Sequence, residues 1–407
     1  MRQHILLAAA AAGVAVVAAG NPLPSRAAMV DSLPSPAGAG SAEPNLTVAR
    51  DGRVYLSWLE PAPDSAFALR LASFDGKAWS PTRTVRTARD FYVNWADFPS
   101  VRALDGDRLA AHWLRKVGRS TYAYHVRVAF SNDGGVTWGP ALTPHTDTSG
   151  TEHGFVAMWA EGATLGAAWL DGRQYNKEGH NPTNEMAVAS TTISAAGGRG
   201  AETFIDLRAC DCCQVDAAVT SDGPIVTYRD RSAGEIRDIA VVRRVNGTWT
   251  EPRLVHADNW HIAACPVNGP AIAADGRRVA LAWFTAPGGA MRVNLAWSSD
   301  AGATFGEPVR IDQGAPAGRV DVALLNDGSA LVTWIERVGG DTAAVRARRV
   351  TQAGKAGAPI DIARSSVARA SGFPRMAVSG GDVYFAWTQP TRPSTVRVAR
   401  MSQSQIR

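Results

Sequence analysis

One phrase recurs seven times along this chain of 407 residues: an apolar stretch, a turn containing glycine, and a second apolar stretch that ends in an aromatic residue. The terminal aromatics are Trp58, Trp113, Trp169, Tyr228, Trp283, Trp334 and Trp387, separated by 55, 56, 59, 55, 51 and 53 residues. So regular a period means one supersecondary unit copied in tandem. The apolar residues alternate and the turns are of the Asp-Gly type, which suits β-hairpins; helical repeats would show a 3.6-residue spacing. A third apolar stretch follows most copies, as at 126–131, 239–244, 293–298 and 396–401, and a fourth fits after the next turn. Four antiparallel strands per repeat make a blade, so the expectation is an all-β β-propeller of about seven four-stranded blades. Six blades with a split terminal blade is the alternative. The last copy has room for three strands, and residues near 27–33 are expected to supply its outer strand and seal the ring. The 39 Gly and 23 Pro suit many short strands joined by tight turns.

The N-terminus carries Arg2 and His4, then an unbroken run of small and aliphatic residues from 5 to 19, then Gly20, Asn21 and Pro22. This is the order of a signal peptide, and the run is short of the roughly 20 residues that a membrane span needs. The chain thus divides into a signal peptide (1–20), a Pro-, Ala-, Gly- and Ser-rich flexible leader (21–42) and the propeller (43–407), and is expected to be periplasmic or secreted. The net charge of +5 is spread without basic blocks, which points to an anionic small molecule or glycan rather than nucleic acid. With its signal cleaved the chain keeps no stable membrane span, and it is expected to act as a monomer.

Two turns between third and fourth strands, SNDGGVTW at 131–138 and SSDAGATF at 298–305, match the Asp-box pattern Ser-x-Asp-x-Gly-x-Thr-aromatic. The motif is a self-satisfied turn, so Asp133 and Asp300 are assigned no chemistry. On these boxes the stretch from about 43 to 401 resembles the sialidase-like superfamily of Asp-box (BNR-repeat) propellers, although family sialidases have six blades. The resemblance implies an exo-glycosidase site: an Arg cluster for a substrate carboxylate, an Asp acid/base, and a Tyr nucleophile paired with Glu. The family's Arg-Ile-Pro signature is absent; the nearest fragments are Phe98-Pro99 and Phe373-Pro374-Arg375.

Propeller geometry places loops that lead into innermost strands, and loops that leave second strands, on one face. Those loops concentrate ionisable residues. For the family's roles they offer Asp97 or Asp171 as acid/base, Tyr228 or Tyr175 as nucleophile near Glu152 or Glu336, and Arg173, Arg229, Arg231, Arg337 and Arg375 as ligand-binding cations. The expected activity is binding, and hydrolysis if the site is complete, of an anionic carbohydrate at an Arg- and carboxylate-lined pocket. Tyr228 takes the place that is Trp in other blades, which suits the core.

All four cysteines fall in two such loops, CDCC at 210–213 and Cys265. With His153 they should meet near the axis. Three readings stand: a disulfide from Cys210, Cys212 or Cys213 to Cys265, a Cu or Zn site made by these cysteines and His153, or free thiols. No cofactor is required by the sialidase-like reading. The cysteine cluster carries the alternative of a non-enzymatic metal-binding or protein-interaction propeller.

Overall fold

The structure, a computed structural model, describes residues 30–162, 164–174 and 185–407. The expected signal peptide, the first part of the leader and Tyr175 lie outside the described residues. Seven antiparallel sheets are arranged as the blades of a propeller. Their innermost strands are Ala42–Val48, Ser100–Ala103, His153–Glu161, Asp216–Thr220, Ala271–Asp275, Pro316–Leu324 and Arg375–Ser379, the first halves of the seven repeated phrases. Seven blades, not six, follow the chain in order. The ring closes as expected: Asp31–Leu33 pairs antiparallel with Thr395–Ser402, placing Asp31 opposite Arg400 and Leu33 opposite Val398. Blade 2 has three strands, and its fourth position is a single bridge between Val128 and Leu142. Pro140 and Pro144 flank that bridge, and neither can donate to a ladder.

Bulky aromatics form the walls between blades. Trp58, Trp159, Trp169, Trp283 and Trp334 are fully buried, and removing such large apolar surfaces from water is the main stabilising term. A buried indole N–H needs an acceptor, and the second strands supply one two residues on. Trp58 donates to Glu60 (2.8 Å), Trp169 to Asp171 (2.9 Å), Trp334 to Glu336, and Trp387 to Gln389 (3.3 Å). Spacing of two puts donor and acceptor on the same side of a strand.

Neighbouring blades are latched near the axis by side chains that accept from the next innermost strand. Asp97 accepts from Phe155 N (2.7 Å), Asp216 from Ile272 N (2.9 Å), Asn268 from Arg319 N (2.7 Å) and Asp321 from Met376 N (2.7 Å). The two Asp-pattern turns fold alike. Asp133 accepts from Thr137 N (2.9 Å) and Thr137 Oγ1 (2.6 Å), and Asp300 from Thr304 N and Oγ1 at the same distances. Among the described residues no helix is long and apolar enough to cross a membrane.

A cavity of about 460 Å³ occupies the axis and touches all seven innermost strands. Its wall carries Arg102, Asp216, Asp321 and Arg375.

Candidate functional site

The loops leading into innermost strands and out of second strands share one face, and the segment 94–98 spreads across its centre. Although it precedes blade 2, its Ala96 carbonyl accepts from Gln214 of blade 4 (2.8 Å), and Trp95 stacks on Phe373 of blade 7, ring centres 5.9 Å apart. Arg319 of blade 6 lies over Trp95 (4.8 Å) and Arg375 over Phe98 (5.5 Å). Asn94 turns the segment by accepting from Ala96 N (2.9 Å) and Asp97 N (3.3 Å).

Beside this segment stands a group that the one-dimensional reading did not assemble. The Tyr124 hydroxyl lies 2.9 Å from Asp97 Oδ2 and 2.5 Å from Glu152 Oε1. Tyr124 opens the third strand of blade 2, Tyr124–Ser131, and its backbone pairs with Glu152. A phenol has one proton, so bridging two carboxyls requires a proton on one of them. One of the two carboxyls facing the phenol therefore carries that proton. Burial pushes Glu152 up to about 8, helped by the charges of Asp97 and Asp211. Burial likewise raises Asp97 to about 7, and Glu43, buried next to Asp97, is raised too. Tyr124 is fully buried against Tyr92, rings stacked at 3.9 Å, whereas Glu152 is only partly buried. Gly154 permits the close packing: a Cβ there would sit 2.0 Å from Asp97 Oδ2.

The cysteines do converge. Cys210 Sγ is 3.1 Å from Cys213 Sγ and 3.7 Å from Cys212 Sγ, and Cys265 joins Cys212 and Asp211 in an overlapping group. No pair stands at disulfide distance, and all four are free thiols. This corrects the expected pin between blades 4 and 5. Arg237 donates to Cys210 Sγ (3.2 Å) and pairs with Glu235 (2.9 Å) and Asp211 (3.5 Å). The cluster could hold a metal ion. His153 is not among its ligand atoms: its ring stacks on His145 (3.9 Å), near His125, with Nε2 3.4 Å from Asp147 and 3.6 Å from Asp171. Successive side chains at the start of an innermost strand point to opposite faces of the sheet, so His153 joins His145 and His125 while the Glu152 carboxyl meets Tyr124.

The other expected residues are mostly engaged elsewhere. Asp171 is fully buried, holding the Trp169 indole and pairing with Arg173 (2.6 Å), which also pairs with Glu202 (2.6 Å). Tyr228 is fully buried in the wall between blades 3 and 4, bonded to Asp206. Arg229 is buried among carbonyls, those of Asn268 (2.8 Å), Arg237 (2.6 Å) and Phe284 (2.6 Å). Arg231 pairs with Glu235 (2.6 Å) and Glu185 (3.4 Å). Arg375 stands in the axial cavity, 3.9 Å from Asp321. Arg337 is exposed, and Glu336 is tied to Trp334 and to Ala315 N (2.8 Å). These five arginines therefore do not line one pocket. Sequence reading passed over Tyr124 and Glu43; Tyr124 sits at the far end of the turn leaving the second strand, a place the repeat itself marks.

No protein-family model and no curated protein matches the sequence. Solved structures do match in fold. The polysaccharide lyase Uly1 superposes with a TM-score of 0.53 at 10% identity, over 89% of this chain and 90% of its own. A Dyadobacter fermentans protein of unknown function gives 0.52 at 14% identity, over 95% and 100%. A Trypanosoma rangeli sialidase in complex with the inhibitor DANA gives 0.48 at 12% identity, over 80% and 57%, so this chain spans little more than half of its length. The likeness is one of fold alone, the β-propeller.

Proposed function

We propose, with the sialidase-like propeller fold as premise, that this is an exported carbohydrate-active protein that binds an anionic glycan over the face crossed by residues 94–98. The observation that carries the reading is Glu152: a partly buried carboxyl on that face, kept protonated near neutral pH by its surroundings. A carboxyl in this state can donate a proton to a glycosidic oxygen, and raised carboxyls gather at working sites. Tyr124 and Asp97 are positioning residues that hold it from below. The sign of the face supports an anionic ligand. Arg229 and Arg319 are bonded to carbonyls and to no carboxylate among the described residues, Arg337 is exposed, and the nearby carboxyls are partly neutral.

The test is a panel of sialylated and uronic-acid oligosaccharides, read by calorimetry for binding and by product analysis for turnover. Wild-type protein should bind at least one anionic member, and Glu152→Gln should keep that affinity within several-fold while losing turnover. Silence across the panel in both readouts overturns the proposal. Export is tested by N-terminal sequencing of protein from an exporting host, with cleavage expected between residues 19 and 28 or so.

A second reading is favoured by one observation, the convergence of four sulfurs on the same face: the cluster holds Cu or Zn, and the propeller handles metal instead of, or alongside, a glycan.

A further inference from the structure

Resting on that metal reading, we propose that the cluster is a Cu(I) site in which Cys210, Cys212 and Cys213 hold the ion, and the exposed Cys265 is the ligand through which it enters and leaves.

The buried group is sulfur alone. Cys210, Cys212 and Cys213 bring their Sγ atoms within 4.8 Å of one another, and Cys210 and Cys213 are buried. Thiolate donors select Cu(I) and Zn(II) among the available ions. A trigonal site with metal–sulfur bonds of about 2.3 Å needs sulfurs roughly 4 Å apart. The pairs at 3.1 and 3.7 Å reach that by spreading less than 1 Å, a side-chain adjustment. What separates the two ions is the fourth vertex. Structural Zn(II) sites are almost always four-coordinate. Here the remaining sulfur, Cys265, belongs to a different group, with Cys212 and Asp211, and His153 lies in its own cluster of imidazoles. Three sulfurs suit Cu(I), which accepts three ligands. Charge points the same way: Arg237 stands 3.2 Å from Cys210 Sγ, and a guanidinium repels a monovalent ion half as strongly as a divalent one.

Cys212 is shared by both groups, so an ion can pass from Cys265 and Cys212 to the buried trio by ligand exchange, without leaving sulfur. Each Cu–S bond formed from a thiol releases one proton, and copper stays Cu(I) throughout.

The experiment uses reduced full-length protein under anaerobic conditions, titrated with Cu(I) against a chromophoric Cu(I) chelator and, separately, with Zn(II). One Cu(I) per chain should bind, far more tightly than Zn(II), and should shield Cys210, Cys212 and Cys213 of the wild-type protein from alkylation as read by mass spectrometry. Cys210→Ser should weaken Cu(I) binding by more than about 100-fold, beyond the loss expected of a merely supporting contact. Cys265→Ser, at an exposed residue, should keep the affinity within several-fold yet slow transfer of copper to the chelator at least tenfold. If neither ion binds, the metal reading itself falls. Tight Zn(II) binding without Cu(I) leaves that reading standing and overturns the Cu(I) assignment. Unchanged transfer in Cys265→Ser overturns the role given to Cys265.

Discussion

The guanidinium of Arg319, in blade 6, lies 4.8 Å from the ring centre of Trp95, on the loop leading into blade 2. Three carbonyls, of Val367, Ala368 and Gly372, hold that guanidinium in place, and Trp95 itself rests on Phe373. The contact therefore ties blades 2, 6 and 7 together at the axis, which nearest-neighbour packing of blades would not do.

Trp95→Ala should lower the stability of the whole ring by about 2–4 kcal/mol, somewhat under the cost of deleting a fully buried aromatic because Trp95 is only partly buried. Chemical denaturation checks it. A loss under half of that would mean that the 94–98 segment merely lies on the surface.

Stability should depend on pH through the buried carboxyls around Tyr124. Glu152 is raised from 4.5 to about 8 and Asp97 from 3.8 to about 7, with Glu43 raised as well. Between the unfolded and folded values the folded chain keeps protons that the unfolded chain releases, so the stability these carboxyls contribute is full below about pH 4 and is lost as pH rises toward 8. Besides one another, Tyr92, Tyr124 and Asp211 face these groups. In thermal melts across that window, wild-type protein should lose stability relative to Glu152→Gln, which carries no proton to lose; the buried His112 and His145, both lowered to about 3, pull the other way below about pH 6.5 in both proteins. A Glu152→Gln protein whose melting temperature follows pH from 5 to 8 just as the wild type's does contradicts the assignment.

Tyr228→Phe separates core from chemistry. Removing a hydroxyl that bonds Asp206 should cost about 1 kcal/mol of stability and leave glycan binding and turnover unchanged. Loss of turnover in a folded Tyr228→Phe protein would restore Tyr228 as a catalytic residue.

The latches between blades should be additive only when far apart. Asp216→Ala orphans the amides of Ile272 and Ala217, and Asp321→Ala those of Met376 and Val322. Each should destabilise by about 1–3 kcal/mol. The double variant, measured by urea unfolding, should depart from the sum, because Arg375 faces both carboxylates.

Much of this architecture could be read from the chain. Alternation of apolar residues and the seven terminal aromatics determined the strands, the blade count and the face on which the loops meet, because a β-strand's period of two and a blade's fixed strand number are local properties. The strand that closes blade 7 was legible too, since the last repeat was one strand short. The regular Trp-to-acid spacing was also there to be seen at Trp58, Trp169 and Trp334, and it marks Asp171 and Glu336 as acceptors for indoles.

Only the tertiary structure decided which charges are spent on one another. Arg173, Arg229 and Arg231 belong to the right loops, yet each turns to a carboxylate or a set of carbonyls, a choice made by rotamers and neighbours far away in sequence. The same holds for Tyr124, whose meaning depends on Asp97 and Glu152 arriving at its hydroxyl from two other loops. Composition and spacing place a residue on a face. Burial and partners, which depend on the packed neighbours of every blade, determine whether its proton or charge is available there.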